Sequence, residues 1–136
     1  MFRKSKPVQL TDINQQEIST IIGEGFVING ELTGSSVVRI DGKVIGNVRT
    51  DGGVILGEKG TVIGDLETTY AIIYGVINGK VKANQLQIKR TGKVDGDIKT
   101  ETLEIESGAQ YNGKLEMKQM IKQPQIQIEE LSSAEL

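Results

Sequence analysis

The sequence predicts an all-β chain folded as a single-domain parallel β-solenoid, also called a β-helix, of about six rungs with a flexible tail on either side. Three observations predict it. A five-residue pattern of apolar, any, Gly, any, apolar returns six times, at Ile28–Leu32, Val44–Val48, Val62–Leu66, Ile77–Val81, Val94–Ile98 and Tyr111–Leu115. Its glycines stand 16, 18, 15, 17 and 17 residues apart, so residues 19–118 form an internal repeat of about seventeen residues. A unit this short cannot bury a core by itself and has to stack on its neighbours. The composition agrees: 37% hydrophobic but only 4% aromatic, with no Trp and 17 Gly, which suits a narrow core of Val, Ile and Leu.

Residues 1–18 show no strand or helix period and carry Pro7, so they are expected to be a flexible N-terminal tail. Met1, Phe2, Arg3, Lys4 and Lys6 place one large apolar side chain beside three cations, a pairing suited to weak attachment to an anionic membrane surface. The plainer reading is a frayed terminus with incidental charge. The repeat opens at Ile18 to Ile22 with an incomplete turn and comes into register at Phe26.

After each glycine motif stands a residue two places beyond the apolar one: Gly34, Thr50, Thr68, Ala83, Thr100 and Met117. An alternating strand follows, as in Val38-Arg39-Ile40, Val54-Ile55-Leu56, Ala71-Ile72-Ile73, Leu86-Gln87-Ile88 and Leu103-Glu104-Ile105, with the period of two of a half-buried strand. A second glycine then appears at Gly42, Gly60, Gly75, Gly92 and Gly108, and the differences in repeat length fall mainly in these connections. From Gly108 to Gly113 the last turn carries one residue more than from Gly92 to Gly96. Residues 119–136, rich in Gln and Glu around Pro124, are expected to be a flexible C-terminal tail.

An antiparallel meander is the rival architecture, because Asn29-Gly30, Asn78-Gly79, Asp95-Gly96 and Asn112-Gly113 are hairpin signals. Against it, Ile45-Gly46 and Ile63-Gly64 put β-branched residues where a type I′ turn needs a positive φ. The same ordered pattern also recurs by translation, whereas a hairpin reverses its strands. The expected inward columns are therefore Ile28/Val44/Val62/Ile77/Val94/Tyr111 and Leu32/Val48/Leu66/Val81/Ile98/Leu115. Rungs about 4.8 Å apart give a rod roughly 30 Å long.

Such a rod has two open ends, each with unpaired backbone groups above an apolar core. Ile21, Ile22 and Phe26 lie at one end, and Tyr111, Leu115, Met117 and Met120 at the other. These side chains act either as caps or as contact surfaces through which one rod stacks on another. Stacking that never closes a ring gives a filament.

The repeated G-x-[VI]-x-G-[DNK]-[VIL] of Gly42–Val48, Gly60–Leu66, Gly75–Val81 and Gly92–Ile98, between short tails, resembles the bactofilins, bacterial polymer-forming cytoskeletal proteins. The resemblance covers residues 19–118. It implies a right-handed β-helix that polymerises end to end, without nucleotide or other cofactor, into apolar filaments. It further implies a peripheral place on the inner face of the cytoplasmic membrane and a scaffolding role in cell shape, motility or cell-wall machinery. On this resemblance the polymerisation interface falls on Phe26, Ile28, Tyr111, Leu115 and Met117, and membrane targeting on Met1, Phe2, Arg3, Lys4 and Lys6. The implied partners are further copies of the chain and the membrane, with no small-molecule substrate and no nucleic acid.

The composition bears on the rivals. There is no His and no Cys, which removes the commonest general base and all thiolate chemistry, and points away from a hexapeptide-repeat acyltransferase. The drift of the spacing away from multiples of six points the same way. Asp95 and Asp97 flank a glycine in an outward turn, where solvated charge is ordinary. A β-solenoid that binds nucleic acid or protein without polymerising is the other alternative, since Arg49, Lys82 and Lys99 share a column. Glu67 and Glu116 interrupt that column, no aromatic stands on it to stack a base, and a net charge of −2 gives no general drive towards nucleic acid. No phosphate-binding loop is present, no apolar run approaches the ~20 residues that span a bilayer, and no signal peptide is recognisable.

Overall fold

The computed structural model describes residues 18–117, which are strands and the turns between them. Each rung has three faces. The first is a six-stranded parallel sheet of Val27–Asn29, Lys43–Ile45, Thr61–Ile63, Val76–Asn78, Lys93–Asp95 and Gln110–Asn112. The second and third faces together form one nine-stranded parallel sheet bent along a corner. The second face runs from Leu32–Gly34 to Leu115–Met117; the third starts at Ile18–Ile22 and continues through Val37–Ile40 and Gly53–Leu56. In the later rungs, Leu66–Ile73, Val81–Ile88 and Ile98–Ile105 each round the corner as one eight-residue strand and serve both faces. Every strand pair is parallel, which excludes the meander.

The Asn-Gly and Ile-Gly dipeptides are bends between the first and second faces. At Gly46 the backbone has φ +145°, and a Cβ there would collide with the carbonyl oxygen of Gly30 in the rung before. From Gly30 to Gly96 each such glycine donates its N–H to the following rung, for example Gly46 N to Ile63 O at 2.9 Å and Gly79 N to Asp95 O at 3.0 Å. The residue after the glycine contributes too. Asn47 Oδ1 accepts from Asp65 N at 3.0 Å, Asp65 Oδ1 from Lys80 N at 3.1 Å, and Asp97 Oδ1 from Lys114 N at 3.2 Å. The polar residues at this bend thus satisfy backbone donors that the turn takes out of the ladder.

The core is a single stack of columns. Ile28, Val44, Val62, Ile77, Val94 and Tyr111 are register partners in sequence, as are Leu32, Val48, Leu66, Val81, Ile98 and Leu115. The inner members of both columns are buried. A third inward column holds Thr50, Thr68, Ala83 and Thr100, all buried, so these small residues belong to the core and not to the connections. Two of the hydroxyls reach corner carbonyls: Thr50 Oγ1 donates to Ser36 O, and Thr100 Oγ1 to Thr102 O at 2.9 Å.

Three sequence expectations need correction. The run Ile18–Ile22 is a paired strand of the third face, not merely an incomplete turn, with Ile22 opposite Ile40. Differences in repeat length arise at two corners. Besides the connection back to the first face, the corner from the second to the third face is one residue shorter from Thr68 onward, as the registers Thr50↔Thr68 and Val54↔Ala71 require. The last turn has no extra residue. Gln110 pairs with Lys93, so Ala109 takes the place of Gly92, and the glycine has moved one position earlier to Gly108, at φ +101°. The first rung has the same variant, Gly25 at φ +94° followed by Phe26. Of the tails expected at residues 1–18 and 119–136, Ile18 is instead the first residue of a strand, and the others, with Lys118, lie outside the described residues.

Candidate assembly surfaces at the two ends

At both ends the inward columns of the rod run out. In the second column Val48, Leu66, Val81 and Ile98 are each 1% exposed, whereas Leu115 in the last rung is 44% exposed. Met117, next to Thr100 in register, is 50% exposed, and Ile105, next to Ile88, is 45% exposed. Tyr111 and Leu103 are half-buried against the last inner residues. Burial pushes the Tyr111 phenol above its usual 10.0, with Asp97 adding to the effect; the hydroxyl turns towards the Ile98 backbone without reaching good hydrogen-bond geometry.

The first-rung end is less uniform. Ile28 and Leu32 are half-buried at the head of their columns, and Ile22 is buried. Phe26 lies outside the inward columns, in the turn before Val27, and is among the most exposed large apolar side chains, together with Ile21 and Val27. Ile21 is opposite Arg39 and so belongs to the outer side of the third face. Of the five residues expected at the interface, the structure brings Tyr111, Leu115 and Met117 together on one terminal surface and Phe26 and Ile28 on the other. Leu103 and Ile105 lie on the last-rung surface and were missed, although both were legible as the last members of their columns; Val27, in register with Lys43, is on the outer side of the first face.

Backbone groups matter as well. Among the described residues, Ile18–Ile22, Val27–Asn29 and Leu32–Gly34 pair on one side only, as do Gln110–Asn112 and Leu115–Met117. These edges offer strand addition at either end. On the outer side of the second face the charges alternate in register as Arg49, Glu67 and Lys82, then Lys99 and Glu116. That arrangement is a mixed ladder and not a basic stripe.

A family profile of the bactofilins, described as polymer-forming cytoskeletal, matches residues 20–116. The chain belongs to the bactofilin family. It is 32% identical over 100 residues to the bactofilin BacO of Myxococcus xanthus and 29% identical over 100 residues to BacP of the same organism. Each match takes in 73% of this chain, and 79% of BacO but only 42% of BacP, so the matched part is under half of the longer bactofilin. In three dimensions it is similar to the Thermus thermophilus bactofilin seen by cryo-EM in double helical filaments, with a TM-score of 0.71 at 28% identity over 74% of this chain and 100% of that one. It is also similar to the cytoskeletal bactofilin BacA determined by solid-state NMR, with a TM-score of 0.69 at 31% identity over 76% of this chain and 99% of that one. As in other bactofilins, then, the domain is an all-β solenoid, and among the described residues no helix is long and apolar enough to cross a membrane.

Proposed function

We propose that this bactofilin is a non-enzymatic scaffold that polymerises end to end without nucleotide. The observation that carries the reading is the change along single columns: positions that are 1% exposed in the middle of the rod become 44% exposed at Leu115. A second copy laid on that surface would return Leu115, Met117 and Ile105 to the burial of their inner counterparts and give the open strand edges a partner. The filaments of the Thermus thermophilus bactofilin support the same reading. Phe26 and Ile28 at the opposite end are proposed as the second contact.

The test is negative-stain electron microscopy of the purified full-length protein without added nucleotide or metal, beside Leu115→Arg. Wild-type filaments and dispersed, folded particles of the variant are the expected result, because a guanidinium desolvated in the contact has no partner. Uniform small particles from both proteins would make the terminal side chains caps and sink the proposal.

We further propose that Met1, Phe2, Arg3, Lys4 and Lys6 attach the filament to the inner face of the cytoplasmic membrane, where it organises cell shape, motility or cell-wall machinery. The support is chemical, one insertable ring next to cations worth about 1 kcal/mol each near an anionic surface. Sedimentation with anionic vesicles should be lost in Phe2→Ser and weakened by salt; binding unchanged by both would refute it.

A further inference from the structure

The chain contains three Asn-Gly dipeptides, Asn29-Gly30, Asn78-Gly79 and Asn112-Gly113, each at the bend between the first and second faces. All three asparagines are exposed, so exposure does not set them apart. Their glycine N–H groups do. Gly30 N donates to Ile45 O at 2.9 Å and Gly79 N to Asp95 O at 3.0 Å, each in the following rung. Gly113 stands in the last rung, and among the described residues no further strand follows to supply its N–H with an acceptor. The same dipeptide in the same bend thus occurs twice with its amide held and once with it open.

That difference decides how readily the asparagine side chain is lost. An Asn-Gly pair deamidates when hydroxide removes the glycine amide proton and the nitrogen attacks the asparagine side-chain carbonyl carbon, Cγ. A new C–N bond closes a five-membered succinimide. The bond from Cγ to the side-chain nitrogen breaks, and that nitrogen takes a proton from water and leaves as ammonia. Water then opens either carbonyl of the ring to give an aspartate or an isoaspartate link. Glycine admits the attack because it has no Cβ to block the approach. The first step is also the one by which an amide proton exchanges with solvent, and an amide that donates to a neighbouring strand yields its proton only after local opening. Gly30 and Gly79 must open first; Gly113 need not.

We propose that Asn112 is a spontaneous deamidation site of the unassembled rod, and that stacking of a second copy on the last rung closes it. The second half rests on the end-to-end reading: a strand added beyond Gln110–Asn112 would give Gly113 N the kind of acceptor that Gly96 N finds in Asn112 O at 2.9 Å. The product spoils the surface that carries it. Asn112 is the register partner of Asp95, so the new carboxylate stands one rung from an existing one, and like charges directly opposite on paired strands are destabilising. The isoaspartate form adds a main-chain carbon ahead of Leu115–Met117 and disturbs the register of that strand with Ile98, Lys99 and Thr100. Rods left unstacked therefore lose, with time, the end through which they stack.

Peptide mapping by mass spectrometry tests both halves on the full-length protein aged in mildly alkaline buffer. The dispersed state is taken twice, as diluted wild type and as Leu115→Arg, with the fold checked by circular dichroism. In it Asn112 should deamidate at least about tenfold faster than Asn29 and Asn78, giving both aspartate and isoaspartate, and the rate should rise with pH. No excess at Asn112 overturns the proposal. In wild-type filaments Asn112 should slow to the rate of the other two. An undiminished rate in filaments that are visible by electron microscopy overturns the protection by stacking and leaves the assembly itself standing, whereas an absence of filaments refutes the end-to-end reading and the second half with it. Asn112→Asp should also polymerise more weakly than Asn112→Gln, and equal polymerisation overturns the consequence drawn for the last rung.

Discussion

Ile98 and Leu115 are register partners in one inward column, yet Ile98 is 1% exposed and Leu115 44%. The difference is one rung. Ile98→Ala should cost about 2–5 kcal/mol of stability by emptying a closed site. Leu115→Ala should cost about 1 kcal/mol or less in dilute, unassembled protein, because much of that side chain is still in water. Thermal unfolding followed by circular dichroism distinguishes the two, and equal losses would mean that the last rung is already closed.

Gly79 and Gly34 test the geometry of the bend. At Gly79 φ is +155° and a Cβ would collide with the Gly64 carbonyl, whereas at Gly34 a Cβ meets nothing within 4 Å. Gly79→Ala is expected to destabilise by about 3 kcal/mol or more, and Gly34→Ala by no more than about 0.5 kcal/mol. Denaturant unfolding of the two variants should separate them clearly.

Thr68 and Thr100 share the third inward column with opposite consequences. Thr100 donates to Thr102 O at 2.9 Å, while the buried Thr68 hydroxyl has no partner. Thr100→Val should therefore destabilise by about 1–2 kcal/mol, and Thr68→Val should be neutral or stabilise by up to about 1 kcal/mol. The check is the difference in unfolding midpoint between the two nearly isosteric substitutions.

Tyr111 gives a pH dependence. Burial first, and then Asp97, raise its folded-state value above the ordinary 10.0, so the folded chain holds the phenolic proton more tightly than the unfolded chain. The contribution is intact below pH 10 and is lost as pH rises through the raised value. Other tyrosines and lysines titrate nearby, so the measurement is the difference between wild type and Tyr111→Phe. Wild type should lose more stability than the variant between pH 9 and 11; parallel curves would place Tyr111 in water.

The one-residue drift in the last turn shows what a linear pattern conceals. Gly108 and Gly92 look equivalent in the sequence, but Ala109 is the residue that stands over Gly92. The connection accepts glycine at either of two consecutive positions, because one turn variant needs a positive φ and the other needs room against the preceding rung. Which variant a rung adopts depends on backbone dihedrals that residue identity only partly fixes. Phe26 stands in the same variant turn: it follows Gly25 and lies beside the column that begins at Ile28.

The sequence by itself determined the solenoid, its rungs and both principal inward columns, since a glycine with apolar residues at minus two and plus two, repeated by translation, stacks in register only as parallel strands. It also determined that the last members of those columns, Tyr111 and Leu115, lie at an end. Only the tertiary structure decided that the column of Thr50, Thr68 and Thr100 faces inward, because threonine, with a methyl and a hydroxyl on one carbon, suits either side of a strand. Only the tertiary structure, again, showed Ile55 and Ile72 buried on the outer side of the wall. Alternation assigns a side chain to a face, but whether that face meets water is settled by what is packed over it, and that is a property of the folded chain.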